Sequence, residues 1–449
     1  MSLAPASDPG HAGLHPELEE ARMIATARPM ARLPAILFCG IVLFGSSPRG
    51  GARPAEDARQ GERQGERQAE RLGRGLVALR TSERSVFLSW RLLPSDPEGI
   101  GFALDRTVEG TSVGFRIHGE PVVTATSFEE KVPSGDLLDR GVRYDLRPVV
   151  GGRVGPAIAS VTLPPRAPVR PYLSVPLETP DGYHPNDASV GDLDGDGEYE
   201  IVIHQVGRGR DNSQRGTTTN PILEAYRLDG TRLWGIDLGR NIREGAHYTQ
   251  FLVWDFDGDG RAEVATKTAD GTIDGAGNAM GDPDADWRNR DGYILDGPEF
   301  LTIFDGRSGK ALSTVDYVPP RGDVASWGDD YGNRVDRFLA CVAYLDGKRP
   351  SLVFCRGYYT RAVLAAFDFR DGKLEHRWTF DSDAGDEANR AYRGQGNHNI
   401  AVGDVDGDGR DEIVYGSCVI DDDGAGLYST GLGHGDAMHL SDIDPDRPG

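Results

Sequence analysis

Three stretches of this chain repeat one pattern: a short apolar run, an acidic glycine-rich turn, then a Glu that opens a second apolar run. Asp192, Asp194, Asp196 and Glu200 stand at positions 1, 3, 5 and 9 of the first turn; Asp255, Asp257, Asp259 and Glu263 of the second; Asp404, Asp406, Asp408 and Glu412 of the third. The flanking runs, within 187–203, 251–266 and 400–415, are short and β-rich, so each copy reads as strand, tight turn, strand. A second motif alternates with the first, at 223–234, 301–312 and 365–378, again as two strands around a Gly turn. One pair of motifs makes a four-stranded unit. Tandem units of this size point to a β-propeller, whose blades bury their faces only against neighbours. A degenerate copy spans 338–354 around Asp346, and a further acidic copy opens with Asp442, Asp444 and Asp446. Only four or five blades are present and the last stops inside its turn, at Gly449. A propeller closes its ring to remove sheet edges. The expectation is therefore a C-terminally truncated piece of a longer protein.

Alternate positions of a tight turn aim their carboxylates at one centre, and Gly between them permits the curl. Position 7 (Glu198, Arg261 or Arg410) adds a backbone carbonyl. Several hard oxygen donors suit Ca²⁺ better than Mg²⁺, which keeps its waters. The bland alternative is an acidic turn without an ion; a threefold repeat of identical spacing weighs against it. No ion is expected at the shorter Asp346 turn. Because every blade carries the turn while active sites are single, the ions are expected to staple strand ends.

Composition agrees with many strands and turns. The chain has 48 Asp against 23 Glu, 44 Arg against 5 Lys, and 60 Gly in 449 residues. Few Lys and Glu with abundant Gly and Asp exclude a helical bundle. A net charge of −22 argues against a nucleic-acid groove. Leu33 to Phe44 is an apolar run of twelve behind Arg28 and Arg32, followed by small residues. That is the layout of a secretory signal and too short to span a bilayer, so residues 1–50 predict export without stable membrane association. Residues 51–74, charged and Gly-spaced, read as a solvated linker. Residues 75–165 hold about seven short strands and predict a fibronectin- or immunoglobulin-like sandwich with Trp90 in its core. Residues 170–449 form the partial propeller, and a monomer is expected. Cys341 and Cys355 are equidistant from the hairpin turn at Lys348 and so open to a disulfide; free core thiols are preferred, since Cys418 makes three.

Three polar segments stand out from the blades. Gly394 to Asn399 and Gly431 to Ala437 place His398 and His434 ahead of equivalent strands. Neighbouring blades would aim His398, His434 and Asp436 at a common region, to share a metal or contact a substrate; two capping turn histidines are the plainer reading. Asn397 joins them as a candidate sugar contact. Cys355 to Arg361 offers Arg356 and Arg361 for a carboxylate and Tyr358 and Tyr359 for a sugar ring, against the alternative of a salt-bridged surface. Candidates for a base are Lys267, Tyr359 and Arg361, and the segment Trp327 to Arg334 is a further candidate. Asp270 to Glu299 is a thirty-residue acidic insertion between strands, read as a functional lid with a further ion in preference to a disordered loop.

At these motifs the chain resembles the rhamnogalacturonan lyases of polysaccharide lyase family eleven, from Gly75 to Gly449. The resemblance is carried by Val86 to Leu93, His184 to Asp192, Ala246 to Gln250, Gly332 to Phe338, Cys355 to Arg361, Gly396 to Asn399 and Gly433 to Ala437. It implies an eight-bladed, calcium-rich propeller and β-elimination at a galacturonate of the acidic pectic polysaccharide rhamnogalacturonan I. It also implies that His398, His434, Asp436 and Asp187 are calcium ligands and Asn186 a sugar contact. Val206 departs from the family pattern, where some members carry an Asp. The resemblance implies that the family's catalytic basic residues lie beyond Gly449. Two rivals remain: a non-catalytic calcium-stapled adhesion or carbohydrate-binding propeller, and a quinoprotein-like propeller prompted by the turn at Asp229 to Trp234.

Overall fold

The computed structural model describes residues 67–385 and 387–444. The apolar run at Leu33 to Phe44 and Asp446 lie outside them. No helix among the described residues is long and apolar enough to cross a membrane.

The chain is all-β. Its first part holds β1 (Val77–Ser82), β2 (Ser85–Ser89), β3 (Gly101–Val108), β4 (Gly114–Arg116), β5 (Ser127–Lys131), β6 (Val142–Val150), β7 (Arg153–Val154) and β8 (Ala159–Leu163). One sheet runs β1-β2-β5; the other runs β4-β3-β6-β7, with β8 also on β6. Alternate residues from both sheets, including Val86, Leu88, Phe102, Leu104, Tyr144 and Leu146, make one core in which Trp90 is buried. The Val122 segment, inside the stretch read as about seven short strands, contributes only an isolated bridge to Phe102. Its place is taken by β5, whose register on β2 puts Phe128 opposite Leu88.

Four consecutive antiparallel meanders follow. They comprise β9 (His184–Gly191), β10 (Glu200–Val206), β11 (Ile222–Tyr226) and β12 (Arg232–Asp237); β13 (Phe251–Trp254), β14 (Glu263–Ala269), β15 (Glu299–Phe304) and β16 (Ala311–Asp316); β17 (Phe338–Ala343), β18 (Ser351–Arg356), β19 (Val363–Arg370) and β20 (Lys373–Asp381); and β21 (Ala401–Gly403), β22 (Glu412–Val414), β23 (Cys418–Ile420) and β24 (Gly426–Ser429). Each motif pair supplies one meander, with its strands in sequence order. The glutamate at position 9 opens the second strand each time, and it pairs with the residue just before the first aspartate: Glu200 with Gly191, Glu263 with Trp254, Glu412 with Gly403.

Successive meanders share their cores. Ile236 and Leu238 pack with Val253 and Val264, Leu301 and Ile303 with Phe354 and Phe367, and Leu364 and Phe380 with Ile413 and Ile420. Two tryptophans pin neighbours in the same way. Trp234 Nε1 donates to the Gly306 carbonyl at 2.6 Å, and Trp378 Nε1 to the Asp422 carbonyl at 2.8 Å. In both cases the last strand of one meander reaches the outer turn of the next.

The linker expectation needs correction at its C-terminal end. Residues 67–74 lie along the acidic turns, with residues 67, 69 and 71 exposed and the others half-buried. Arg67 pairs with Asp411 at 2.9 Å, Gln68 Nε2 donates to the Asp255 carbonyl at 2.7 Å, and Gly73 N donates to the Gly197 carbonyl at 2.6 Å. The turns expose carbonyl groups that the charged, Gly-spaced segment can satisfy. Cys341 and Cys355 do not form a disulfide, because the β17–β18 register pairs Cys341 with Val353 and Cys355 with Leu339. The hairpin centre lies one residue before Lys348, so the two thiols are offset along the strands.

Candidate functional site

Four segments distant in sequence bring histidine and tyrosine rings into one cluster. His247 precedes β13, Tyr358 and Tyr359 follow β18, His398 precedes β21 and His434 follows β24. All leave the same ends of their strands; acidic turns close the opposite ends of β13–β14 and β21–β22, about 10–13 Å along those strands at 3.3 Å per residue. Ring centroids lie 5.3 Å apart for His247 and His398, 5.0 Å for His398 and His434, and 4.2 Å for Tyr359 and His434. Gly396 lets this happen: any side chain there would collide with Tyr358 and Tyr415.

Hydrogen bonds orient the rings. His434 Nδ1 lies 2.5 Å from the Gly396 carbonyl, which can only accept, so Nδ1 carries a proton and the bond turns Nε2 toward the cluster. That Nε2 is buried without a hydrogen-bond partner. The Tyr359 hydroxyl is 3.0 Å from His398 Nε2. Asp436, 94 % exposed, places a carboxylate oxygen 3.7 Å from His398 Nε2 and 3.9 Å from His434 Nε2. Donor atoms of His398, His434 and Asp436 thus fall within 4.8 Å of one another. Burial, with the nearby Arg337 and His398, lowers the pKa of His247 to about 4, and burial beside His434 and Arg337 also lowers that of His398. Both imidazoles are neutral at neutral pH, the form that ligates metal. Two nitrogens and one carboxylate, with an orphaned buried Nε2, fit a divalent cation; nitrogen donors are softer than calcium's usual oxygens.

The acidic turns fit calcium better. Asp192, Asp255 and Asp404 cap their own turns, accepting from the glycine N–H groups at 195 and 197, 258 and 260, and 407 and 409 at 2.7–3.0 Å. These glycines have φ of +81° to +93°, which side chains resist. Glu200, Glu263 and Glu412 accept from the backbone N–H of Leu193, Phe256 and Val405. Donor atoms of Asp192, Asp194 and Glu200 converge, as do those of Asp255, Asp257 and Asp259, and of Asp404, Asp406 and Glu412. Burial and mutual repulsion raise Glu200 and Glu412 to about 7 and Glu263 to about 9. Asp194 Oδ1 and Glu412 Oε1 are buried without partners. Such crowded, partly orphaned carboxylates are what a hard cation would relieve. Arg227 already sits on Asp194 as a substitute positive charge.

Asp196 and Asp408 stand apart from these converging sets and accept from the backbone of Glu198 and Arg410. At position 7, Arg261 pairs with Asp259 and Arg410 with Asp422 at 2.8 Å, while Glu198 faces Arg91 at 3.8 Å. Asp346 is committed to its own turn and to Arg349 at 3.1 Å. Asp442 accepts from the Asp444 backbone at 3.2 Å.

Several expected sugar contacts are corrected by burial. Arg356 is fully enclosed, donating to the Pro319 carbonyl at 3.1 Å and Glu299 at 2.5 Å. Lys267 is buried on the same Glu299, at 2.9 Å, so neither reaches a polymer. Arg361 grips Asp381 with both prongs, at 3.1 and 2.6 Å, and stacks on Trp327. Asn397 is buried too, its Oδ1 accepting from Gly435 N at 2.7 Å, so it joins the His398 and His434 segments rather than facing outward. Asn186 and Asp187 are exposed on β9 and bond each other at 3.3 Å. Of the sugar and base candidates, Tyr358 and Tyr359 lie in the cluster, with Arg334 at the end of the Trp327 segment stacked on Tyr359.

The insertion after β14 is ordered by its own acids. Asp270 accepts from Trp287 Nε1 at 2.9 Å, and Asp274 from the backbone of residues 276 and 278.

Comparison with known proteins decides the family. Rhamnogalacturonan lyase family 11, C-terminal domain, matches residues 172–449, and the Rhamnogalacturonan I lyases beta-sheet domain matches 67–163. The chain belongs to rhamnogalacturonan lyase family 11. Rhamnogalacturonan exolyase YesX of Bacillus subtilis (strain 168) is 52 % identical over 389 residues, 84 % of this chain and 61 % of that protein. Rhamnogalacturonan endolyase YesW of the same strain is 51 % identical over 389 residues, covering 84 % and 60 %. The structure of Bacillus licheniformis Rhamnogalacturonan Lyase PL11 superposes with a TM-score of 0.79 at 53 % identity, over 86 % of this chain and 65 % of that one. The family 11 chain thus spans about three-fifths of the length of the curated relatives it matches.

Within this family 11 chain, His247 and Arg334 belong to the cluster although neither was singled out from sequence. A signal for His247 existed. It stands eight residues before Asp255, as His434 stands eight before Asp442. Arg334 lay inside a candidate segment, but only the fold shows its guanidinium 3.8 Å from the Tyr359 ring centroid.

Proposed function

We infer that this chain is part of a rhamnogalacturonan lyase, cleaving the rhamnose–galacturonate bond of rhamnogalacturonan I by β-elimination. The observation that carries the reading is the His398–His434–Asp436 donor set ringed by Tyr359, His247 and Arg334, in a member of family 11. The four meanders are blades of a propeller, and calcium ions staple the acidic turns of the first, second and fourth. A divalent cation at the histidine set would draw charge from the uronate carboxylate and so acidify the C5 proton. The residues of this chain bind and orient. His398 and His434 present ring nitrogens, the Tyr359 ring offers a face to a sugar, and its hydroxyl is held by His398. A base removes the C5 proton, and the C4 oxygen leaves toward rhamnose. Export belongs to the same reading, since a polymer of this size is met outside the cell.

Incubation with rhamnogalacturonan I and a divalent cation tests it, by the ultraviolet absorbance of the C4–C5 unsaturated uronate. A rise abolished by chelator is expected from the protein containing this chain. No rise from that protein would sink the reading in favour of a non-catalytic calcium-bound propeller.

A further inference from the structure

We propose that Arg334 is the substrate-binding residue that grips the carboxylate of the galacturonate at the histidine cluster. The proposal rests on the lyase reading above and adds a residue to it.

The arginines near the cluster differ in what they already hold. Arg356 and Arg321 sit on buried Glu299, and Arg361 is bidentate on Asp381. Arg337, with 5 % of its side chain exposed, donates Nε to the Asn333 carbonyl at 2.9 Å. Arg334 has 32 % of its side chain exposed, and its closest acidic atom, Asp329 Oδ2, is 4.0 Å away, beyond hydrogen-bond reach. The other oxygen of Asp329 is occupied by the N–H groups of Tyr331, Gly332 and Asn333. Arg334 therefore has the uncommitted fork.

Its position is held by stacking. The guanidinium lies 3.8 Å from the Tyr359 ring centroid, so the ring uses its face and leaves the N–H edge open. Tyr359 in turn bonds His398 at 3.0 Å and packs 4.2 Å from the His434 ring. The free fork is thus one tyrosine ring from the donor set. A uronate carboxylate is a planar two-oxygen anion, the partner a guanidinium edge matches bidentately. Gripping it would align the sugar and add a second positive charge against its carboxylate. Arg334 is placed to bind and polarise rather than to accept the C5 proton, since a guanidinium stays charged.

The test is calorimetric titration of this chain, with divalent cation present, by a galacturonate–rhamnose oligosaccharide and by its uncharged methyl ester. The native chain is expected to prefer the free acid. Arg334→Gln should lower affinity for the acid about tenfold or more and leave the ester within about twofold, while Arg334→Lys keeps part of the preference. Thermal melts of the variants should match the native chain, as the side chain is partly exposed and makes no hydrogen bond. An undiminished acid preference in Arg334→Gln overturns the proposal and leaves the lyase reading standing. Loss of both ligands in that variant also overturns it, because the role would be structural. Absence of binding by the native chain overturns the proposal, whereas the lyase reading falls only if the protein containing this chain gives no absorbance rise.

Discussion

Replacing Glu299 by Gln should destabilise the protein far more than a one-atom change suggests. One oxygen of Glu299 receives Lys267 Nζ at 2.9 Å, Arg321 Nη2 at 3.0 Å and Arg356 Nη2 at 2.5 Å. All four side chains are at most 10 % exposed. The amide keeps the shape but removes the charge, leaving three buried cations with Asp336. Breaking a buried ion pair by removing one partner costs about 3–5 kcal/mol. At roughly 2 °C per kcal/mol for a large domain, the melting temperature should fall by about 6–10 °C. Burial alone would raise the pKa of Glu299, yet Arg356, Lys267 and Arg321 hold it well below its ordinary 4.5. A carboxyl lowered on folding contributes stability that is fully present above its unfolded value and is lost as pH falls through the folded one. Melts of the native chain should therefore decline on the acid side below about pH 4.5, and part of that decline should vanish in Glu299→Gln. Adding Lys267→Met should recover some of the loss, because it removes one stranded charge. The assay is differential scanning calorimetry of the two variants and the native chain from acid to neutral pH. A drop under about 2 °C, or an unchanged acid limb, would refute the reasoning. The cluster also ties β14, β15 and the end of β18 just before Tyr358, so the same variant should loosen the ring cluster.

Other predictions follow from the two ion-fitting regions and the core. Calcium should stabilise the fold by about 2.7 kcal/mol per turn at a hundredfold excess over the dissociation constant and so raise the melting temperature, which chelator should lower; a melt indifferent to calcium would count against the turns as binding sites. His434→Ala should remove one tightly held divalent ion, read by elemental analysis, while sparing those at the turns; unchanged ion content would count against the histidine set. Asn397→Ala should lose about 1 kcal/mol, seen in urea unfolding, because it removes a buried side chain's hydrogen bond to the half-buried Gly435 N–H. Cys355 and Cys418 should stay unreactive to thiol reagents until unfolding, since burial excludes the reagent and pushes Cys418 up to about 12, and peptide mapping should show no disulfide among Cys341, Cys355 and Cys418.

The repeat of acidic turns, the flanking apolar runs and the alternating Gly turns were enough to read strands and four-stranded units, because period, turn chemistry and register are local. The fourth outer hairpin, β23–β24, was overlooked although Asp423 and Gly424 mark its turn. The family was legible from segments such as Cys355 to Arg361 and Gly433 to Ala437. What each side chain in those segments does was not. Arg356 and Arg361 look alike in sequence, yet one is enclosed on Glu299, 57 residues away, and the other clamps Asp381. His247 and His398 meet because successive meanders set the starts of β13 and β21 at one end of the strands. Which guanidinium keeps a free fork depends on partners brought together by long-range packing, and neither residue type nor spacing encodes that. Sequence determined the strands, the turns and their charge; tertiary structure decided which charges are paired, buried or left to meet a substrate, because pairing depends on distance in space.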